Sequence, residues 1–453
     1  MSDLTQFVPQ ESETVTAIYE WHVKKNTEDQ KPRLGRLGAS MIGHHCERAL
    51  WYGFRKLVKP TFDGRMYRLF LTGHLEEPRM VEELRGIGCT VLDIDEESGK
   101  QFEFAALGGH FVCYVDAVIL GLPEAPKTWH VGEFKTYGGT ETQHSKGFED
   151  IKTKGVEVSK PQHYAQMMCG MGLSGMTRAL YLCKKKATDE IHAERIRYNP
   201  KAYVRYLEKA ERIIRAISPL ERCATRPDDF RCKFCDAFAL CWGTGETAVP
   251  ICSKTCRSCC HATPEIDDGT IDARWSCAKH KCNLDKDAQF ADCPDHLILP
   301  GLVLFAEPVD SGDGWIEFKN TKDNAVWRHG FDDGNTEMWT TKELMCTPGP
   351  LIGNKAIQTV KAAIDGEVVG FEEELTLIEK YPPEDSRLVW EGSWKEGESA
   401  TAEVDVALNS LGIMDEPSAQ FEDDKHIAVE YDEQYCLVIY KADNYAAIWE
   451  GVE

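Results

Sequence analysis

The sequence lacks several features that would place it in large classes of protein. It has no run of about 18 consecutive apolar residues, which excludes a typical membrane-spanning helix. Gly-x-x-x-x-Gly-Lys-Ser/Thr and Gly-x-Ser-x-Gly are both absent, which argues against an ATPase motor and a serine hydrolase. Residues 1–15 have neither the basic nor the apolar region of an export signal. We therefore expect a cytoplasmic protein that makes no membrane contact.

Negative charge is concentrated in the last third of the chain. Of the net charge of −23, residues 301–453 contribute −22, from 33 acidic and 11 basic residues, whereas the first 300 residues hold 42 and 41. The last third should therefore repel phosphate backbones, while the rest can still carry a local basic groove. The length of 453 residues exceeds what one hydrophobic core usually organises, so we expect two or more domains.

Hydrophobic periodicity predicts an α/β domain over residues 38–245, preceded by an N-terminal arm, residues 1–37. Helices are predicted at 14–25, 46–57, 66–86, 161–171 and 200–217, and strands at 90–94, 102–106, 111–120, 129–136 and 179–184. This order is typical of a small mixed sheet flanked by helices. An acidic, mostly β domain is predicted for residues 301–453, with strands at 315–318, 368–378, 387–394 and 435–440.

Two of the predicted strands carry a candidate catalytic group. Asp116 interrupts the apolar run 111–120, and Glu133 and Lys135 are two residues apart on the next strand. Side chains two apart share one face of a strand, so two carboxylates and a lysine can converge. Such carboxylates hold Mg²⁺ or Mn²⁺, which can polarise a phosphoryl oxygen and lower the pKa of a water that Lys135 positions. The alternative is a turn aspartate beside an exposed ion pair.

Polar residues on two neighbouring helices could extend this group. The upstream helix carries His74, Glu76 and Glu77, and the downstream helix carries Gln162, Tyr164 and Gln166. An upstream imidazole or carboxylate that faces the sheet could supply a third metal ligand. The downstream residues, with their two glutamines one turn apart, could contact a DNA backbone. For each residue taken singly, a solvated helix face is the simpler interpretation.

Together these residues resemble the RecB-like branch of the PD-(D/E)xK nuclease superfamily, which includes lambda-type phage exonucleases and CRISPR-adaptation nucleases with iron-sulfur clusters. The resemblance covers about residues 38–243 and rests on the Gly73–Glu77 helix, Asp116, Glu133, Lys135 and the Gln162–Gln166 helix. It implies a restriction-endonuclease-like core with a mixed central sheet. It also implies metal ligation by Asp116, Glu133 and either His74 or Glu77. Because His74, Glu76 and Glu77 are all present, the third ligand stays open.

The eighteen cysteines indicate metal ligands more than disulfides, since a reducing compartment is expected. Cys46 precedes the predicted core, and Cys232, Cys235 and Cys241 close it, which is similar to the iron-sulfur staple of the same branch. The resemblance implies a [4Fe-4S] cluster that ties the two ends of the domain together. A zinc site with four thiolates is the rival, because spacing does not separate the two. Cys223 is a nearby spare ligand.

A second cysteine-rich segment, residues 246–300, predicts a zinc ribbon. Cys256, Cys259 and Cys277 have the spacing of three of its ligands. The fourth is Cys293, or else His280, Cys282 or His296. Because apolar periodicity vanishes there, we expect the metal, and not a core, to hold this segment. Four further cysteines in apolar stretches are interpreted as core residues, namely Cys89, Cys113, Cys169 and Cys183.

The resemblance implies a Mg²⁺- or Mn²⁺-dependent DNA exonuclease. It would act on single-stranded or duplex ends in replication, recombination or repair, and a phage-type enzyme would work in the host cytoplasm. The alternatives are a structure-specific endonuclease and a non-catalytic module that binds DNA ends or a partner. The acidic third could recruit a replication or recombination protein, mimic phosphate over the nuclease groove, or only keep the protein soluble.

Overall fold

The structure is a computed structural model, and its chain divides into two compact units, Met1–Asp365 and Gly366–Glu453. It describes residues 12–27, 35–138, 147–266, 269–331, 337–364, 366–369, 386–393, 408, 419–422, 426–431, 435–440 and 445–451. None of the helices in these ranges is long and apolar enough to cross a membrane. The fold is a mixed α/β arrangement with several sheets.

The first unit begins with the helices and strands that the sequence predicts, together with several that it does not. These are α1 Glu13–Thr27, β1 Leu37–Gly38, α2 Ala39–Ile42, α3 Glu47–Phe54, α4 Gly64–Gly86, β2 Thr90–Leu92, β3 Glu103–Ala106, β4 Phe111–Tyr114, β5 Ala117–Leu120, β6 His130–Tyr137, α5 Gly147–Lys154, α6 Val156–Ser159, α7 Pro161–Ser174, β7 Arg178–Lys185, β8 Ile191–Arg197, α8 Pro200–Arg215 and α9 Phe238–Trp242. Local signals set several of their ends. The Asp63 side chain caps α4 by accepting from the Met66 N–H at 2.6 Å, and α7 begins at Pro161 and ends before the left-handed Gly175.

A five-stranded sheet with the order β2-β5-β6-β7-β8 positions the candidate site. β6 and β7 run parallel, and the other neighbours are antiparallel. Helix α4 covers one face, where Phe134 joins a core with Met80, Val81, Leu84, Cys89, Val91, Ala117, Ile119, Leu122, Leu180 and Leu182. Helix α7 covers the opposite face, where a Cβ at Gly170 would lie 3.3 Å from Val131. The predicted sheet flanked by helices is confirmed at this level.

The predicted strand 111–120 is wrong in one respect, because it is two strands in different sheets. β4 pairs with β1 and β3, whereas β5 belongs to the five-stranded sheet. The change occurs next to Asp116. The Val115 N–H donates to the Phe102 carbonyl, while the Asp116 N–H donates to the Gly132 carbonyl, each at 3.2 Å. The carboxylate therefore stands where the chain passes from one sheet to the other.

Residues 262–364 add strands β9 to β14 and helices α10 to α12. They are β9 Ala262–Pro264, β10 Trp275–Cys277, β11 Cys282–Leu284, α10 Lys286–Phe290, β12 Ala306–Gly312, β13 Trp315–Asn320, β14 Val326–Gly330, α11 Thr341–Cys346 and α12 Lys355–Ile364. These strands form two small antiparallel sheets, with the orders β11-β10-β9 and β12-β13-β14. The predicted strand at 315–318 is confirmed by β13, whereas α11 and α12 fall in a region that was predicted to be mostly β.

The predicted domain boundary at residue 300 lies inside the first unit. The segment before it is hydrogen-bonded to the segment after it: His296 Nδ1 lies 2.8 Å from Thr341 Oγ1, and the Ile298 N–H donates to His329 Nε2 at 3.0 Å. Trp275, which has no exposed surface, stacks on Phe54 of α3. Residues 246–300 are therefore packed into a core on both sides, which corrects the expectation that a metal alone holds them.

The second unit contains an antiparallel sheet with the order β15-β19-β18-β17-β16. Its strands are β15 Ser386–Ser393, β16 Ala419–Glu422, β17 His426–Tyr431, β18 Tyr435–Tyr440 and β19 Tyr445–Gly451. The predicted strands at 387–394 and 435–440 are confirmed, and most of 368–378 lies outside the described residues. Residues 366–453 hold 23 acidic and 5 basic residues, so the acidity of the chain belongs mainly to this unit.

A chain that ends at Asp365 should keep the stability of the first unit, whereas one that ends at Pro300 should lose roughly 3 kcal/mol or more. The shorter chain lacks the buried partners of three groups. His296 loses Thr341, the Ile298 N–H loses His329, and the Val249 N–H loses the Leu344 carbonyl. Thermal unfolding followed by circular dichroism compares the two. Equal midpoints for both truncated chains would contradict the division at Asp365.

Candidate active site

Asp116, Glu133 and Lys135 converge at the start of β5 and the middle of β6. The Lys135 ammonium forms an ion pair with Glu133 and lies 3.9 Å from Asp116 Oδ2. Asp116 is held in place because Oδ2 accepts from the Phe134 N–H at 2.6 Å and Oδ1 accepts from Gln101 Nε2 at 3.2 Å. Glu133 is almost fully buried, whereas Lys135 keeps partial exposure. The structure thus brings together the three residues that the sequence proposed as a catalytic group.

The electrostatics of this group are those of crowded carboxylates around one cation. Burial, with the nearby carboxylates of Asp116 and Glu77, raises the pKa of Glu133 to about 8 against the opposing effect of Lys135. Burial lowers the pKa of Lys135, but the three carboxylates outweigh it, so the net pKa is raised and the ammonium stays charged. Like charges in a poorly solvated site repel each other, so an additional cation would be stabilised here.

Among the three upstream candidates, Glu77 is the one whose charge interacts with the group. Burial and the Asp116 carboxylate raise the pKa of Glu77, which places the two carboxylates within electrostatic reach. His74 is largely exposed and lies 3.8 Å from Glu77, outside the cluster. Glu76 is instead engaged elsewhere, in an ion pair with Lys184 at 2.7 Å. The position of the third ligand, left open by the sequence, therefore favours Glu77.

The donor set of Asp116, Glu133 and Glu77 fits a hard divalent cation. Carboxylate oxygens are the ligands that Mg²⁺ and Mn²⁺ prefer, and two or three of them usually share such an ion with water and a substrate phosphate. In the part of the chain that the structure describes, no three His, Cys, Asp or Glu side chains are already assembled as a metal shell. Here the Lys135 ammonium lies between the carboxylates and neutralises part of their charge.

A partly buried cluster of Tyr137, His163 and Tyr181 lies next to this group and was not predicted. The hydroxyls of Tyr137 and Tyr181 are 2.6 Å apart, and His163 Nδ1 lies 2.8 Å from the Tyr181 hydroxyl. Burial, followed by the charges of Lys135 and Lys160, lowers the pKa of His163 to about 3. The cluster links β6 and β7 to α7 as a neutral hydrogen-bonded support. In the sequence, only the alternation along β6, which puts Glu133 and Tyr137 on one face of the strand, could have indicated this cluster.

The three residues predicted to contact DNA from the downstream helix are placed differently from one another. Gln162 keeps partial exposure at the start of α7, but Tyr164 and Gln166 are 7% and 9% exposed. Their neighbours explain this, because α7 packs against β4 and β6 and the Cys113 thiol lies 3.8 Å from the Gln166 carbonyl. A direct DNA contact therefore has room only at Gln162, and burial argues against it for the other two.

Five cysteines line one cavity between the start of α3 and the segment around α9. They are Cys46, Cys223, Cys232, Cys235 and Cys241. Cys46 is also the N-cap of α3, since its Sγ accepts from the Ala49 N–H at 3.4 Å. Burial, followed by the thiols of Cys46 and Cys232, raises the pKa of Cys223 to about 12. The four predicted iron-sulfur ligands are neighbours, and the spare thiol of Cys223 lies among them.

The second group of cysteines is Cys256, Cys259, Cys277 and Cys293. Burial and then the other three thiols raise the pKa of Cys256 to about 12, which places the four within interaction range. His296 is not available as a ligand, because Nε2 lies 2.9 Å from Ser258 Oγ and Nδ1 lies 2.8 Å from Thr341 Oγ1. Cys282 is exposed on β11. Cys89, Cys113, Cys169 and Cys183 are buried, as predicted for core residues.

The chain has little similarity to known proteins. No protein-family model matches the chain, and no curated protein matches it either. Among solved structures it is similar to LHK-Exo in complex with dAMP (14% identity, 43% of this chain and 89% of that chain, TM-score 0.29), to SSO0001 (12%, 51% and 98%, TM-score 0.30) and to the alkaline exonuclease LHK-Exo from Laribacter hongkongensis (14%, 40% and 87%, TM-score 0.25). Similarity this low carries no weight for fold or activity, which depend on the chain's own residues.

Asp116→Asn should stabilise the protein in EDTA by about 1 kcal/mol and remove the stabilisation that Mn²⁺ gives the wild type. The substitution relieves repulsion with Glu133 and Glu77 but keeps an oxygen that can accept from the Phe134 N–H. Thermal unfolding with and without Mn²⁺ measures both effects, with the exposed Glu82→Gln as control. An Asn variant that is less stable in EDTA, or that keeps the full Mn²⁺ effect, would contradict this account.

Cys46→Ser and Cys232→Ser should each abolish the iron content and the visible charge-transfer absorbance of anaerobically purified protein. Both thiols line the five-cysteine cavity, and serine is a poor ligand for an iron-sulfur cluster. Cys346→Ser, outside this cavity, is the control. The iron contents of Cys223→Ser and Cys241→Ser identify the fourth ligand, because only substitution of a ligand should remove the iron. Wild-type protein with zinc and no iron at this cavity would favour the rival site.

Proposed function

We propose that this protein is a metal-dependent DNA nuclease that hydrolyses phosphodiester bonds at DNA ends. One observation carries the proposal: Asp116 and Glu133 lie beside Lys135 where β5 pairs with β6, and the Glu77 carboxylate of α4 interacts electrostatically with Asp116 and Lys135. Carboxylates beside a lysine are the residue types needed for metal-assisted phosphodiester hydrolysis. The resemblance to the RecB-like branch of the PD-(D/E)xK superfamily supports the same activity and a restriction-endonuclease-like core.

Each residue of the group has a distinct role in this proposal. Asp116, Glu133 and Glu77 would hold Mg²⁺ or Mn²⁺. Such an ion, when bound, neutralises charge on a phosphate and lowers the pKa of an attacking water. The Phe134 N–H fixes the Asp116 carboxylate, so the ligand is oriented before substrate arrives. Lys135, which also donates to the Phe134 carbonyl at 3.0 Å, would position the water or offset charge on the phosphate.

The five-cysteine cavity supports a structural role for a [4Fe-4S] cluster. Cys46, Cys232, Cys235 and Cys241 would hold it, with Cys223 as an alternative ligand. Thiolate ligation would join the start of α3 to the region of α9, which are far apart in the chain. Because Cys46 caps α3, the same contact would fix the first turn of that helix. The expected contribution is to stability and not to the chemical step.

Two alternatives differ from this proposal in product or in activity. A structure-specific endonuclease would use the same carboxylates but would cut circular DNA. A non-catalytic module would bind DNA ends or a partner without cutting, and the charged group around Lys135 makes it the weaker candidate.

For the acidic second unit we propose recruitment of a replication or recombination protein. Loss of complex formation with unchanged cutting, in a chain that ends at Asp365, would fit that role.

Lys135→Ala should lower the cutting rate by roughly 100-fold or more, because the ammonium is the positive group of the site. The assay follows end-labelled single- and double-stranded DNA, linear and circular, in Mg²⁺, Mn²⁺ or EDTA. Lys152→Ala is the matched control, since Lys152 pairs with Glu190 on the surface.

Cutting of linear but not circular DNA that needs both a divalent ion and Lys135 is the result expected of an exonuclease. Cutting of circles would favour the endonuclease. Well-folded protein that binds DNA but never cuts it would overturn the proposal in favour of the non-catalytic module.

A further inference from the structure

Two arginines are buried side by side where α3 meets the cysteine-rich segment. Arg55, at the end of α3, is 1% exposed, and Arg257, between Cys256 and Cys259, has no exposed surface. Both guanidinium groups lie over the ring of Trp275, at 5.3 and 4.5 Å from its centre. An arginine remains charged in a protein, so two positive charges are buried at this place.

No carboxylate among the described residues pairs with either arginine. Arg55 donates to the carbonyls of Arg257 and Ala216, and Arg257 donates to the carbonyls of Gly35 and Phe54 and to the amide oxygen of Gln289. The Nε atoms of both have no acceptor in the described structure. These neutral partners solvate the two cations but do not balance their charge, and buried charge is normally paired.

The acidic groups closest in electrostatic terms are thiols. Arg257 directly follows Cys256 in the chain, and Arg55 donates at 3.0 Å to the Arg257 carbonyl, two residues before Cys259. Burial lowers the pKa of both arginines, and the opposing effects come from Cys259 on Arg55 and from Cys256 on Arg257. As neutral thiols they carry no charge that could balance the arginines. As thiolates on a metal ion they would, because four thiolates and one Zn²⁺ sum to a charge of minus two.

The four cysteines of this segment have the surroundings of thiolate ligands. The His261 N–H donates to Cys259 Sγ and the His280 N–H to Cys277 Sγ, each at 3.5 Å. Backbone donors of this kind stabilise negative sulfur. In the structure the thiols are neighbours and not a formed shell, since Cys256 Sγ donates to the Ala288 carbonyl at 3.6 Å.

We propose that Cys256, Cys259, Cys277 and Cys293 bind one zinc ion as thiolates, with Arg55 and Arg257 as the buried counter-ions of that centre. The two guanidinium charges cancel the charge of minus two. This selects Cys293 over the histidines as fourth ligand, because a neutral imidazole would leave one arginine unbalanced. Zinc binding by these cysteines would not require nuclease activity.

The arginines also explain what the zinc centre would stabilise. Arg257 bonds the chain at Gly35 and at Phe54, and Arg55 bonds the carbonyl of Ala216 just after α8. The contacts of Arg257 join the cysteine-rich segment to the chain just before β1 and to α3, and the contact of Arg55 joins the end of α3 to the end of α8. Metal loss would leave both cations unbalanced, so the effect should extend beyond the ribbon.

Zinc content of the full chain, produced with zinc present, tests the ligand set. The wild type should hold one zinc in this segment, and Cys256→Ser and Cys293→Ser should each lose it. Cys282→Ser and Cys260→Ser, both exposed thiols, are matched controls that should keep it. Folded wild type without this zinc, or loss of zinc in Cys282→Ser but not in Cys293→Ser, would overturn the proposal.

A charge test separates counter-ions from mere packing. Arg257→Met should weaken zinc affinity, measured by competition with a chromophoric chelator, by roughly 10- to 100-fold. Arg257→Lys, which keeps the charge, should retain more affinity than Arg257→Met, and the exposed Arg212→Met should match the wild type. Circular dichroism confirms that each compared variant is folded. Equal affinity for the Lys and Met variants, or wild-type affinity for Arg257→Met, would overturn the counter-ion role.

Discussion

The candidate site depends on holding three carboxylates within reach of one lysine. Glu133 has almost no exposed surface, so solvent does little to screen its repulsion from Asp116 and Glu77. Two contacts hold this arrangement in place. Asp116 accepts a hydrogen bond from the Phe134 N–H, and α4, which carries Glu77, packs on the sheet. Lys135 balances only part of the charge, and a site with surplus negative charge is suited to a divalent cation.

A charge imbalance of the opposite sign occurs where α3 meets the cysteine-rich segment. There the surplus is positive, from Arg55 and Arg257, and the groups able to balance it are cysteines. Helix α3 connects the two cysteine-rich regions, because Cys46 is its N-cap and Arg55 is its C-cap. Metal binding at either region would therefore bear on the same helix. The hydrogen bonds of Arg55 and Arg257 and the stacking of Trp275 on Phe54 pack the cysteine-rich segment into the first unit.

The sequence predicted the features that depend on local periodicity. Strand alternation placed Glu133 and Lys135 on one face, and helical periodicity located α4, α7 and α8. It did not predict the break at Asp116, because apolar residues on both sides read as one strand until tertiary pairing divides them. Strand β8 was missed since it is mostly exposed and polar, and nothing in the sequence distinguishes the buried Arg257 from a surface arginine.

The most direct test of the central claim is a crystal structure with Mn²⁺ and a mononucleotide, using anomalous scattering to locate the metal. The account predicts an anomalous peak within coordination distance of Asp116 and Glu133, with Glu77 facing it and Lys135 moved from Glu133 towards the phosphate. A well-ordered crystal in which Lys135 still pairs with Glu133, and in which Mn²⁺ is absent or bound elsewhere, would contradict it.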